Sequence, residues 1–470
     1  MLERMRYKDD HSKELMPAHL KKFLVPFLLL LIGVVVGCVL IPHENATVAE
    51  QFIGYPDSHR QAHGLRSWLL GILCALPFLC SLAYYSMDRI DKYTLRVFGS
   101  SFLICFGALF MLMLLEDFQD NISDFQESDD ITGIMLKHYV IKLPALIVFI
   151  LPYSLMLSLL WALGKMSKSQ ELVSIIQTGR GVVRLTRPLA LAGVVCTIVC
   201  LIFNYHWAPY AESQEDLILN EAKGATSNAA ESVAYQNRAN TRHWLVGSFP
   251  FAHTSGEPLK SIEITILDSD HKASQKILAK EATWSLESKK WTLTEPVIFD
   301  LADSKQDTDG LVPVKVSKTD LVMDWEETPW QIINPGLKAP YLGIPGLKSW
   351  LVNHVDNPLS DKRSYKTHLY YRYAQPFICI IIILLAAPLG IVLNKRGFGG
   401  GIAVAIFLCA GMIFCSTVFP TLGESGHLSP FIAAWATNIL FGLIAFILFH
   451  RRMTGRPIYQ TIKNLIPNGQ

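Results

Sequence analysis

The chain has 470 residues, and its 42 Lys and Arg against 40 Asp and Glu leave a net charge of +2, which excludes a nucleic-acid binder working by bulk electrostatics. Apolar residues make up 51% and charged residues 17%, under the roughly 25% usual in soluble domains. Charge is also uneven: residues 205–366 hold 39 of the 82 acids and bases, while long runs elsewhere hold none. The pattern is that of a membrane protein with one water-soluble insert.

A bilayer core about 30 Å thick needs roughly 20 apolar residues in a helix. Eight stretches meet or approach this: 23–41, 68–85, 97–115, 143–163, 189–203, 377–393, 399–419 and 431–449. The fifth is short unless extended to 185–207, which admits only Arg187, able to snorkel to the interface. Pro388 predicts a kink in the sixth. The first span has a rival reading, because Val35-Val36-Gly37-Cys38 has the form of a lipoprotein cleavage box. The leader with Asp9, Asp10 and Glu14 is long for a signal, and apolar residues continue past Cys38, so a plain transmembrane helix is favoured. The nine cysteines all lie in apolar runs without a CxxC pair, which excludes a disulfide framework in the insert and suggests no zinc site.

Orientation follows from the loops. Segment 164–187 carries Lys165, Lys168, Arg180, Arg184 and Arg187 against Glu171 alone; Lys395 and Arg396, then Arg451, Arg452, Arg456 and Lys463, mark two further cytoplasmic segments. Segment 116–140 holds Glu116, Asp117, Asp120, Asp124, Glu127, Asp129 and Asp130 against Lys137, so it and the insert are expected outside, with both termini in the cytoplasm.

Within the insert the periodicity turns to strands. Ile262, Ile264 and Ile266 alternate with polar residues, and 244–249, 277–286, 291–301 and 314–325 read as further strands. An antiparallel sandwich or open barrel is the economical result. Residues 211–230 read as a helix leading into it, and 344–355 as a short amphipathic helix on the way back. Trp244, Trp284, Trp291 and Trp325 are expected in the core.

There is no G-x-x-x-x-G-K-[ST], no zincin motif and no G-x-S-x-G, and the histidines are scattered. No catalytic residue and no metal site is assigned, and the chain itself needs no cofactor. Segment 168–184 is more informative. Leu172, Ile175, Ile176 and Val183 fall at helical spacing, and Gly179 and Gly181 end or bend the helix. Spacing alone fits equally an interfacial helix held by lipid and a coupling helix that docks on a cytoplasmic ATPase.

Several segments carry a resemblance: Pro152-Tyr153-Ser154-Leu155 through Leu163-Gly164-Lys165-Met166, Glu171-Leu172-Val173 with Gln177-Thr178-Gly179, Asp91-Lys92-Tyr93, and Trp207-Ala208-Pro209. Ala279-Lys280-Glu281-Ala282-Thr283-Trp284, Gln375-Pro376-Phe377 and Ala387-Pro388-Leu389-Gly390 continue it in order. Over roughly residues 88–455 the chain resembles the LptF/LptG (YjgP/YjgQ) permeases of the lipopolysaccharide exporter. The resemblance implies a six-span permease core, spans three to eight here, with a periplasmic β-jellyroll between its third and fourth helices. With the two further spans, the expected fold is an α-helical polytopic membrane protein of about eight spans with an inserted periplasmic all-β, jellyroll-like domain. Its expected divisions are 1–87 (two extra helices), 88–207 (core helices one to three), 208–366 (β-domain), 367–455 (core helices four to six) and 456–470 (tail).

The resemblance further implies an inner-membrane permease of an ABC transporter that extracts lipopolysaccharide or a similar glycolipid. Its partners would be a second related permease, a cytoplasmic ABC ATPase dimer supplying ATP and Mg, and periplasmic bridge proteins. Glu171, Leu172, Ile175 and Gly179 would couple to the ATPase, spans 97–115 and 399–419 would form lateral gates, and the jellyroll would pass the lipid on. The inward apolar positions of its alternating strands make Ile264, Ile266 and Trp284 the expected lipid path. Two departures stand out. Residues 1–87 lie outside the family pattern, and Glu116, Asp117 and Asp120 stand where the family often has basic residues for lipid phosphates. These acids are expected to be simply solvated, with a bridging divalent cation, or Lys137, His138 and Lys142 as headgroup contacts, the alternatives. Other readings are an ABC permease for another lipid-linked cargo, such as lipoproteins, or a membrane scaffold or sensor.

Overall fold

A computed structural model describes residues 18–51, 57–127, 130–177, 182–222, 228–237, 241–250, 257–268, 272–285, 288–301, 315–316, 320–325, 327–333, 338–353, 359–390 and 398–453. Among the described residues, seven helices precede the insert: α1 (Ala18–Gln51), α2 (Asp57–Ser86), α3 (Arg89–Gln126), α4 (Ile131–Lys168), α5 (Glu171–Gln177), α6 (Val182–Tyr205) and α7 (Trp207–Ala222). Six follow its strands: α8 (Pro329–Ile333), α9 (Ile344–Asn353), α10 (Leu359–Ala374), α11 (Ile378–Gly390), α12 (Phe398–Glu424) and α13 (Pro430–Met453). Among the described residues, eight helical segments are long and apolar enough to cross a membrane, matching the eight expected stretches.

Helices run well past the apolar runs that announce them. α3 and α4 each extend over 38 residues, so most of segment 116–140, expected as a loop, is helical. Asp130 caps α4, its side chain accepting a hydrogen bond from the Gly133 amide at 3.0 Å. Backbone hydrogen bonding is self-contained in a helix, so continuing it is the cheapest way to leave an apolar environment. The sixth span is irregular at the 3₁₀ turn Gln375–Phe377 between α10 and α11, while α11 runs through Pro388 to Gly390. The charged helix α10 was not legible as part of this span.

The bundle is built around α4 and the α10–α11 segment, whose most apolar windows are 72% and 67% buried, whereas α3 and α12 are only 11% and 17% buried. Leu155, Met156, Leu159 and Leu163 of α4 pack with Cys379, Ile382, Leu385 and Ala386 of α11 in one apolar cluster. The two spans expected to form gates therefore flank a solid centre and keep open faces.

The described residues of the insert form eight strands: β1 (Asn228–Asn237), β2 (Arg242–Pro250), β3 (Leu259–Leu267), β4 (Ala273–Ser285), β5 (Lys290–Thr294), β6 (Val297–Asp300), β7 (Lys315–Val316) and β8 (Leu321–Met323). They join in one antiparallel sheet of order β1-β2-β3-β4-β5-β8, with β6 on the first half of β4 and β7 on β6. Two expectations need correction. The helix expected over 211–230 ends at Ala222, and residues 228–230 open β1 instead, because Val233 and Tyr235 pair across to β2 and face the core. The strand expected over 291–301 is broken in two, and of the one expected over 314–325 the described residues pair with different partners, 315–316 with β6 and 321–323 with β5.

Register sets the core of this domain. Trp244 pairs with Ile264, Ile264 with Ile277, and Ile277 with Ile298, placing one inward row across four strands. Trp244 and Trp291 approach to 5.2 Å between ring centroids, Trp325 meets Trp244 at the same distance, and Trp284 joins the cluster. Trp244, Trp284 and Trp291 are buried core residues, as expected, and Trp325 is partly buried against them. Glu327, 1% exposed, closes the floor: Arg242 donates to both its oxygens at 2.7 and 3.0 Å, and Trp291 Nε1 donates to its carbonyl at 2.7 Å.

Candidate functional site

The first functional region lies where α4 turns into α5. Gln170 takes a φ of 63°, the left-handed conformation that lets the chain reverse sharply after α4. α5 then sinks Leu172, fully buried, into the bundle core, with Ile175 packed against it. Glu171 accepts a hydrogen bond at 2.8 Å from the hydroxyl of Tyr93, near the start of α3. Arg184 of α6 and Asp88 stand 3.2 Å apart on the same side of the bundle. The sequence-assigned Glu171, Leu172 and Ile175 thus share one short helix packed on α4 and tied to α3 through Tyr93, with Ser174 and Gln177 exposed. Gly179 lies outside the described residues.

The second region is at the opposite end of the same helices. Asp117 of α3 is 9% exposed, which overturns the expectation of solvated acids at this position. His138 Nε2 stands 3.0 Å from Asp117 Oδ2, and Lys142 donates at once to Asp117 and to Glu215 of α7. Asn121 completes the shell, its amide 3.1 Å from Asp117 Oδ1. The physical reason is helix extension: α3 and α4 carry their charges beyond the apolar windows but still packed together, so each charge finds a partner there. Glu116 and Asp120 are exposed, as expected, and Lys137 is exposed outside the cluster.

Asp117, His138 and Glu215 bring three donor atoms within 4.8 Å of one another, close enough to suggest a metal ion. Two observations speak against one. The Lys142 ammonium already bridges the two carboxylates. A ligating histidine also needs a partner for its other ring nitrogen, and buried His138 Nδ1 has none among the described residues. The cluster is an ion-pair network tying α3 and α4 to the stem of the β-domain.

Within the β-domain, Ile264 and Trp284 sit in the closed core, 0% and 7% exposed, and Ile266 is partly buried beside them. The face of the sheet turned away from the tryptophans carries an open groove of about 960 Å³ with Leu245, Gly247, Leu278 and Val297 among its lining. At its rim Lys280 and Glu295 pair at 2.6 Å, and this hydrogen bond holds the lysine above its ordinary pKa.

Sequence reasoning missed Glu215, Asn204 and Arg372. Arg372 of α10, 6% exposed, donates to Asn204 Oδ1 at 3.0 Å and to the Pro340 carbonyl, and stands 3.5 Å from Glu212. The available signal was Lys142 and Arg372 themselves: a cation at the margin of an apolar run demands a counter-ion.

Comparison with known proteins agrees with this architecture. Residues 92–451 match the family described as lipopolysaccharide export system permease LptF/LptG. The lipopolysaccharide export system permease protein LptF of Escherichia coli (strain K12) is 23% identical over 374 residues, covering 76% of this chain and 94% of the relative. LptF of Shigella flexneri matches to the same extent.

Proposed function

Because this chain belongs to the LptF/LptG family of lipopolysaccharide export system permeases, matching over residues 92–451, we propose that it is the permease subunit that extracts lipopolysaccharide, or a similar envelope glycolipid, from the inner membrane. In this reading it pairs with a second related permease, couples through Glu171, Leu172, Ile175 and Gly179 to a cytoplasmic ABC ATPase dimer carrying ATP and Mg, and passes lipid to a periplasmic bridge. The observation that carries the proposal is that the family match spans the helices and the β-domain together. The open faces of α3 and α12 support it further, since a lateral gate must meet lipid or a partner helix.

Headgroup recognition at the β-domain end takes a particular form here. Lys142 is engaged by Asp117 and Glu215, so a lipid phosphate must compete with two carboxylates for it. Acyl chains need a continuous apolar path, since each exposed CH₂ costs about 0.8 kcal/mol. Ile264, Ile266 and Trp284 offer that path only if the sheet parts, whereas Leu245, Leu278 and Val297 line a groove already open.

The test is native mass spectrometry of the purified complex, then photo-crosslinking during ATP turnover with the reactive residue at Ile264, Ile266 or Leu278. Bound glycolipid and ATP-dependent capture at any of these sites are expected. A complex without an ATPase, or one carrying lipoprotein, would overturn the assignment.

A further inference from the structure

The family match begins at residue 92, so α1 and α2 lie outside it. Their packing gives them a place. Gly33 and Gly37 of α1 sit against Cys74 of α2, and a Cβ on Gly33 would collide with the Cys74 carbonyl, so the two helices cross closely at small residues. One end of this hairpin carries a buried ion pair. Arg66 Nη2 lies 2.5 Å from Glu44 Oε1, with side chains 3% and 12% exposed, and Ser67 donates to Asn45 beside it. Separating a buried pair leaves an uncompensated charge, so this end of the hairpin resists opening.

That end is pressed against one place in the core. α2 packs on both α6 and α9. His63 meets His206 edge-on with ring centroids 6.2 Å apart, and His206 stacks on Tyr210 at 5.4 Å. His206 is the single residue between α6 and α7, the joint at which a membrane helix becomes the stem of the β-domain. Gly343, just before α9, approaches the same joint so closely that a Cβ there would lie 2.9 Å from His206 Cα. Arg372 of α10 and Asn204 of α6 exchange hydrogen bonds, the Asn204 amide donating to the Arg372 carbonyl at 2.8 Å and Arg372 donating to Asn204 Oδ1 at 3.0 Å. The joint is held by α10 and by the hairpin.

We propose that the α1–α2 hairpin is a built-in brace whose docking surface is the α6–α7 joint, fixing the angle at His206 and thereby the stance of the β-domain over the membrane helices. The brace couples two parts of this chain mechanically and requires neither cargo nor ATPase.

The experiment uses the full-length protein in lipid nanodiscs, with spin labels introduced as non-natural residues at Val322 of β8 and Leu115 of α3, both well exposed. The distance distribution between them is expected to be narrow in the wild type and at least twofold wider in Arg66→Leu. The exchanged pair Glu44→Arg with Arg66→Glu should return it toward the wild-type width. His63→Ala leaves Arg66 and Glu44 in place and removes the ring contact with His206, so it should widen the distribution too, and it carries the test should Arg66→Leu fail to fold. An unchanged width in His63→Ala and Arg66→Leu would overturn the brace. So would widening accompanied by faster hydrogen exchange throughout α4 and α11, which would make the hairpin a general part of the fold.

Discussion

The Tyr93 hydroxyl donates to the Glu171 carboxylate at 2.8 Å across 78 residues of sequence, joining the start of α3 to the start of α5. Through this bond the helix proposed to meet the ATPase is tied directly to a helix proposed to be a gate. A push on α5 that displaces Glu171 must either carry Tyr93 along or break the bond.

Glu171→Arg should therefore weaken assembly with the ATPase by about 1–3 kcal/mol, roughly a 5- to 150-fold rise in Kd. Tyr93→Phe removes one exposed hydrogen bond and should leave assembly within a few-fold of wild type while slowing ATP-driven lipid release. Co-purification and release assays on both variants check this. Wild-type assembly in Glu171→Arg would remove α5 from the interface.

The Lys142 network predicts an order of stabilities. Lys142→Met removes the cation shared by buried Asp117 and partly exposed Glu215 and should cost up to about 3 kcal/mol. Asp117→Asn leaves the Lys142–Glu215 pair in place and should cost less. Melting of the purified protein in detergent reads the order directly, and a milder effect from Lys142→Met would mean that the lysine is not the bridging cation.

His206 sets a pH dependence. Burial, reinforced by Arg66 and His63, holds its pKa well below the ordinary value. The folded protein then binds fewer protons there than the unfolded chain, so stability from this group is fully present above pH about 6.5 and is lost as the pH falls below it, by at most about 1.4 kcal/mol per unit. Melting temperature should drop on acidification from pH 7.5 to 5.5 more steeply in the wild type than in His206→Asn.

Topology is open to direct labelling. Single cysteines at Asp120 and Lys168, both exposed on helix ends, should react from opposite sides of the membrane, position 120 from outside and 168 from the cytoplasm. A reversal would place the β-domain in the cytoplasm and end the export reading.

Much of this protein was legible from composition and periodicity. Eight spans, the β-rich insert and the burial of its tryptophans follow from apolar length and alternation, because both depend on neighbours in the chain. The resemblance likewise rested on short local segments, such as Asp91-Lys92-Tyr93 and Glu171-Leu172-Val173. That Tyr93 bonds Glu171 could not be read from either segment alone.

Apolar runs and strand alternation in the sequence determined which segments enter the membrane and which form the sheet. Tertiary structure alone decided where the charges went. Asp117 looked solvated because hydropathy marks only the end of an apolar run, yet α3 and α4 continue past it and bring His138, Lys142 and Glu215 within reach. The same holds for Arg372 with Asn204 and for Arg66 with Glu44. A buried ion needs a partner in space, and the residue that meets it can lie more than a hundred positions away, as Asn204 does from Arg372.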